Sequence, residues 1–190
     1  MQDVIHKPAK LTKSKVAIAV ISILLPFGTT LPLAYSQSNA PRVVEGRAFN
    51  VVGFQDRTTN QKETSQTEGK IGALWGRFSS NATRPGPAAL RGVIYAVYTN
   101  YESNETAAYD VIIGNEVRGQ QKPPLGMVLI HIPAAHYLVF RAAGDSPAAI
   151  MEAWQGVYKF FSEHSDRRRA YSYDFERHTT KGTEIFVAIR

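Results

Sequence analysis

Tyr171-Ser-Tyr-Asp-Phe-Glu-Arg-His178, a short polar turn, and Thr183-Glu-Ile-Phe-Val-Ala-Ile189 form the stretch that decides the fold. In the first arm Tyr171, Tyr173 and Phe175 alternate with Ser172, Asp174 and Glu176. In the second, Ile185, Val187 and Ile189 alternate with Glu184, Phe186 and Ala188. That is the period of half-buried strands, and Lys181-Gly182 supplies a turn residue that tolerates positive φ. A β-hairpin is predicted, with Glu176 at the end of its first arm among aromatic residues and beside Arg177. A carboxylate there is either a solvated strand-end charge or the polar anchor of an apolar pocket.

The pattern occurs twice. An offset that lays Tyr101-Glu102 on Phe175-Glu176 also lays Asp110-Val-Ile-Ile113 on Glu184-Ile-Phe-Val187, with no gap in the turns. Upstream of each hairpin lies a helix-like segment with a tryptophan, Ile71 to Phe78 around Trp75 and Ile150 to Tyr158 around Trp154. Upstream again come strand-like runs, Phe49 to Phe54 and His136 to Phe140. Each half reads β-α-β-β. The expected fold is α+β: duplicated β-α-β-β modules with pseudo-two-fold symmetry, an antiparallel sheet, two helices and a central ligand groove.

Outward from this repeat, residues 1–36 read as a secretory signal peptide. Lys7, Lys10, Lys13 and Lys15 precede the apolar run Val16 to Leu25, Pro26 and Gly28 break it, and Ala34-Tyr-Ser36 offers a cleavage site before Gln37. The alternative is an uncleaved N-terminal membrane anchor extending to Ala34. The expected location is periplasmic or secreted, with no membrane association after cleavage. The whole chain carries a formal net charge of +6, and removing the leader's four lysines and single aspartate halves it. The basic character is therefore weak support for nucleic acid, and no nucleic-acid partner is expected. Arg167-Arg-Arg169 reads as a solvated loop rather than a phosphate patch. With no cysteine, there is no disulfide, thiol nucleophile or thiolate metal site.

Residues 37–42 read as a polar tether, and 43–190 as one domain, with repeat one at 43–117 and repeat two at 126–190. Val43 to Phe54 holds the first strand, Gln55 to Gly69 a polar loop and the start of the first helix, and that helix ends near Ser80. Val93 to Thr99 and Ala107 to Gly114 make the first hairpin. Pro123-Pro124 keeps the linker extended. Gly126 to Arg141 is a strand region interrupted at Pro133. Asp145 or Ser146 caps the second helix, Pro147 starts it, and it runs to about His164.

No histidine pair has the spacing of a zinc helix, and neither a Gly-x-Ser-x-Gly elbow nor a phosphate-cradling glycine loop is present. No metal and no cofactor is expected. What remains is aromatic surface beside carboxylates. Such a wall attracts a cation or an amphipathic organic molecule through ring faces and a compensating charge. Trp154 falls inside the apolar stripe of its helix and reads as core.

Ile71-Gly-Ala-Leu-Trp-Gly-Arg-Phe78, Tyr109-Asp-Val-Ile-Ile-Gly-Asn-Glu-Val117, Ile132-Pro-Ala-Ala-His-Tyr-Leu-Val-Phe140 and Asp174-Phe-Glu-Arg177 together resemble the GyrI-like effector-binding domain, also the ligand-binding module of some AraC- and MerR-type transcription activators. The resemblance implies two β-α-β-β modules around a groove that binds small, often cationic and lipophilic, organic molecules. It implies that Glu176 is the groove carboxylate, with Trp75 and Tyr137 as neighbours. Some members of that family hydrolyse strained electrophiles. His178 departs from the family's usual tyrosine, and no DNA-binding helix pair is present.

The reading that follows is an exported, stand-alone small-molecule-binding domain. Its expected ligand residues are Glu176, Glu102 as the counterpart of Glu176, Trp75, Tyr98, Tyr137 and Tyr173. Strand parity sets Tyr173 opposite to Glu176. The alternatives are a hydrolase with Glu176 or Glu102 as base, and a protein-interaction module acting through Thr58 to Gly69 or Arg167 to Arg169.

Overall fold

The computed structural model describes residues 40–65, 67–80 and 92–190. The expected signal peptide and most of the expected tether lie outside the described residues. The elements in chain order are β1 (Arg42–Gly46), β2 (Phe49–Thr58), α1 (Asn60–Glu63), α2 (Ile71–Ser80), β3 (Ile94–Thr99), β4 (Tyr109–Val117), β5 (Val128–Ile132), β6 (Ala135–Arg141), α3 (Pro147–Glu163), β7 (Tyr173–Thr179) and β8 (Gly182–Ala188). Among the described residues no helix is long and apolar enough to cross a membrane.

All eight strands join one antiparallel sheet in the order β1-β6-β8-β7-β3-β4-β2-β5. β1 lies at one end of this order and β2 next to the other, yet only residues 47–48 connect them. Three Cα–Cα steps span at most about 11 Å, so the two ends of the sheet must approach each other. Residues 133–134 impose the same constraint between β5 and β6. The sheet is therefore curled. Val43 to Phe54, expected to hold the first strand, holds parts of two, because the break at residues 47–48 sends β1 to pair with β6 and β2 with β4 and β5.

The alternation of side chains gives the sheet two buried faces. Val51, Tyr95, Val97, Ile132, Tyr137, Phe175 and Phe186 form a core on one face, drawing residues from both halves of the strand order as the curl requires. On the other face α2 inserts Leu74 and Phe78 against Val52, Phe54, Ala96, Tyr98 and Ile113, while α3 sets Val157 against Leu138, Phe140, Ile185 and Val187. Both helices thus cover the same face. The Ser146 side chain accepts from Ala149 N and Pro147 opens α3, as its sequence predicts, and His164 closes it. The start of the first helix, expected within Gln55 to Gly69, is corrected: α2 begins at Ile71, and that stretch holds the separate one-turn α1. Its Glu63 carboxylate accepts from Lys70 N at 2.8 Å and Ile71 N at 3.2 Å, capping α2.

The predicted hairpin forms, with Gly182 at φ 109°. The first arm runs on to Thr179, so Glu176 lies within a strand, opposite Ala96 on β3 and Ile185 on β8, and not at a strand end. The gapless match of the two hairpin turns does not hold: residues 100–108 join β3 to β4, whereas 180–181 suffice for β7 to β8.

Gly53 and Gly114 face each other in the β2–β4 ladder. A Cβ on Gly53 would meet Ile113 O at 2.2 Å, and one on Gly114 would meet Val52 O at 2.1 Å. Both obstacles are backbone, which cannot swing aside as a side chain does. Gly53→Ala is expected to cost at least about 2 kcal/mol, read as a lower urea midpoint; an unchanged midpoint would show that the ladder relaxes freely there.

Candidate functional site

β7 carries Glu176 and His178 on the helix-covered face, two residues apart and so on the same side of the strand. Glu176 is almost fully buried. Its Oε1 accepts from Tyr98 OH of β3 at 2.7 Å and from Trp154 Nε1 of α3 at 2.7 Å, and its Oε2 lies 2.8 Å from His178 Nε2. Burial, and then the adjacent carboxylate, raises the Tyr98 phenol well above its ordinary value of 10, so it stays a donor. His178 Nδ1 lies 3.0 Å from Thr183 Oγ1, which donates to Asp145 Oδ1 at 2.9 Å.

The walls are aromatic. Trp75 of α2 stands edge-on to the His178 ring at 4.9 Å, and Tyr98 meets Trp154 at 5.2 Å and Tyr109 at 5.9 Å. Asn60 of α1 accepts from Tyr109 OH at 2.7 Å and donates to Tyr158 OH at 3.1 Å, tying β4 to α3. The His178 side chain is 16% exposed and that of Glu176 4%, while Trp75 and Trp154 are half-buried. Side chains from α2, α3 and β3 thus converge on the Glu176–His178 pair on the helix-covered face of the sheet. The tilted and edge-to-face ring contacts are the favourable ones.

Of the residues expected in the site, Glu176, Trp75 and Tyr98 come together. Tyr137 and Tyr173 do not: both belong to the core on the opposite face, where Tyr137 packs on Phe175 at 5.2 Å and on Phe186 at 6.0 Å. Parity dictates this, since Tyr173 is an odd number of positions from Glu176 on one strand. Glu102 does not join either. β3 ends at Thr99, so Glu102 falls in the following loop, 62% exposed and paired with Arg57 at 2.8 Å. It shares no hydrogen-bonding partner with Glu176.

Trp154 and His178 are the residues that sequence reasoning did not place in the site. Trp154 packs with both helix-face clusters, as its stripe position predicts, and also spends its N–H on Glu176. The buried indole N–H needs a partner, and that need was the available signal. For His178 the signal was the spacing of two residues from Glu176.

Arg167-Arg-Arg169 is not wholly a solvated run. Arg169 is buried: its Nη2 lies 2.6 Å from Asp174 Oδ2, and the rings of Tyr101, Tyr158 and Tyr171 surround its guanidinium at 6.0, 5.8 and 4.6 Å. Among the described residues no cluster of three or more His, Cys, Asp or Glu side chains could hold a metal ion.

A curled antiparallel sheet with two helices on one face is the architecture of a GyrI-like effector-binding domain. The chain belongs to the integron-associated effector binding protein family, Cass2, whose model matches residues 42–189. It is 34% identical to the integron cassette protein VCH_CASS2 from the mobile metagenome of Vibrio cholerae, a crystal structure matched over 80% of this chain and 96% of that one with a TM-score of 0.68. It is 29% identical over 135 residues to the transcriptional regulator BrlR of Pseudomonas aeruginosa. That match takes in 71% of this chain and 46% of BrlR, so the chain spans about half the length of that relative. The structure of SAV2435 bound to tetraphenylphosphonium shares the fold at 18% identity, with a TM-score of 0.57 over 79% of this chain and 93% of that one.

Proposed function

We propose that this small-molecule-binding domain takes an amphipathic or cationic organic ligand in the cleft between α2 and α3, with Glu176 as the polar anchor and Trp75, Tyr98 and Trp154 as walls. The observation that carries the reading is the buried Glu176 carboxylate, reached by aromatic side chains from α2, α3 and β3, with Trp75 contributing through His178. Ring faces and a carboxylate are the chemistry that recognises a lipophilic cation. The tetraphenylphosphonium held by SAV2435 makes that ion a sensible probe.

The proposal extends to two further points. The strand order reads the same from either end when β1–β4 are exchanged for β5–β8, which supports duplication about a pseudo-two-fold axis, in units with two strands before the helix and two after it and not the expected β-α-β-β. The lysine-led apolar N-terminus supports export, with the domain released from Gln37 into the periplasm or medium; N-terminal sequencing of the exported protein tests it, and an intact leader would favour a membrane anchor.

A ligand that binds only the folded chain raises its melting temperature by mass action, by about 2.7 kcal/mol of stabilisation at a hundredfold excess over Kd. In a thermal-shift screen of the full-length chain, lipophilic cations are expected to raise Tm by several degrees; a flat response across cationic and neutral compounds would contradict the reading. A second reading, hydrolysis of small electrophiles, draws on the Glu176–His178 pair, since a carboxylate touching an imidazole is an acid–base pair. It requires turnover that disappears in Glu176→Gln.

A further inference from the structure

The carboxylate at the base of the cleft already has a counter-charge. The Thr183 hydroxyl has a single hydrogen and gives it to Asp145 Oδ1, so towards His178 Nδ1 at 3.0 Å it can only accept. Nδ1 therefore carries a hydrogen. The 2.8 Å contact between Nε2 and Glu176 Oε2 needs a hydrogen as well, because a bare imidazole nitrogen and a carboxylate oxygen would oppose lone pairs. Whether that hydrogen is drawn on nitrogen or on oxygen, the pair as a whole is neutral.

The groups facing His178 come from every element around it. They are Glu176 on its own strand, Thr183 on β8 with Asp145 behind it, the edge of Trp75 from α2, and Ile94 opposite it on β3. Tyr98 of β3 and Trp154 of α3 meet the pair only through Glu176 Oε1. Among the described residues in hydrogen-bond or ring contact with the pair there is no Lys or Arg, which leaves the shared proton as the cation these contacts set against Glu176.

We propose that the proton shared by Glu176 and His178 is the resident cation of the cleft, and that a lipophilic monocation binds by expelling it to solvent, one proton out for each cation in. This inference rests on the ligand site proposed above. The incoming cation takes the place of the Nε2 hydrogen beside Oε2. The imidazole is left neutral with its Nδ1 hydrogen on Thr183, and the carboxylate charge meets the ligand. A neutral ligand expels nothing. His178 is thereby a specificity residue, setting cationic against neutral ligands according to pH, while Thr183 and Asp145 are positioning residues that act through its Nδ1. By linkage, each proton released raises the association constant about tenfold per pH unit while the free pair still holds its proton.

The test is calorimetric titration of the full-length chain with tetraphenylphosphonium, and with neutral triphenylphosphine oxide, in phosphate and in Tris across a pH series of about 5.5 to 8. The expected result is close to one proton released per cation at the acid end, a steep rise of affinity with pH for the cation, and a flat profile for the neutral compound. Thr183→Val keeps both members of the pair but removes the acceptor that holds the hydrogen on Nδ1. The imidazole can then turn its single hydrogen to Glu176, and proton release is expected to fall towards zero. The wild-type proton count needs no variant, so a misfolded variant does not shelter the proposal. Cation binding with no proton released would overturn it and leave the ligand site standing; no cation binding at any pH would overturn both.

Discussion

Arg169→Ala is expected to destabilise the chain by about 3–5 kcal/mol, the cost of stranding a buried charge. Asp174 is fully buried, and its Oδ2 takes Arg169 Nη2 at 2.6 Å and Tyr101 OH at 2.9 Å, while its Oδ1 takes Ala188 N at 2.8 Å. Removing the guanidinium leaves that carboxylate without a cation, and empties the space between the rings of Tyr101, Tyr158 and Tyr171. The loss falls on the connection between α3 and β7, the segment that leads into the strand bearing Glu176. For a chain of this size it corresponds to a Tm lower by roughly 6–20 °C. Urea denaturation reads it directly. Replacing both partners, with Arg169→Met and Asp174→Asn together, is expected to recover part of the loss, because no charge is then stranded and the amide oxygen still accepts from Ala188 N. If the single variant were as stable as wild type, the ion pair would be dispensable and its buried geometry misleading.

Glu176→Gln is expected to weaken binding of a lipophilic cation by about 100-fold, or about 2.7 kcal/mol, within the range for deleting one partner of a buried charge contact. Glutamine keeps a carbonyl oxygen for Tyr98 and Trp154, so the fold is preserved while the charge is lost. The effect should be largest near pH 8, where the competing proton is scarcest. Binding of the neutral phosphine oxide should change far less, and that contrast separates loss of charge from general damage to the cleft. Equal weakening of both compounds would mean that Glu176 shapes the site and does not attract the cation.

The parts of the fold set by local chemistry were readable in the sequence. Ser146-Pro147 announced the start of α3, Gly182 the last turn, and the period of two the hairpin around Glu176. What depends on partners far along the chain was not. The separation of β1 from β2 is decided by pairing with β6 at one end of the sheet and with β4 and β5 near the other. The longer loop between β3 and β4 broke a match that set Glu102 on Glu176. Side-chain parity explains most of the site. Glu176 and His178 share a face because they are two apart, and Tyr173 is lost to the other face because it is three away. Tyr137 was proposed from resemblance alone and sits where Phe175 and Phe186 need a third ring. Trp154 shows that a residue can belong to a core stripe and still spend its polar tip on the site.

The chain has two tryptophans, Trp75 and Trp154, and both flank the Glu176–His178 pair. Intrinsic fluorescence is therefore expected to report a ligand bound beside this pair without a label. The most direct measurement is a fluorescence titration of the full-length chain with tetraphenylphosphonium at pH 8, with Glu176→Gln alongside. The predicted result is a saturable change in wild type whose midpoint moves about 100-fold in the variant. A titration with no saturable change, or one with the same midpoint in both proteins, would contradict a ligand site anchored on Glu176.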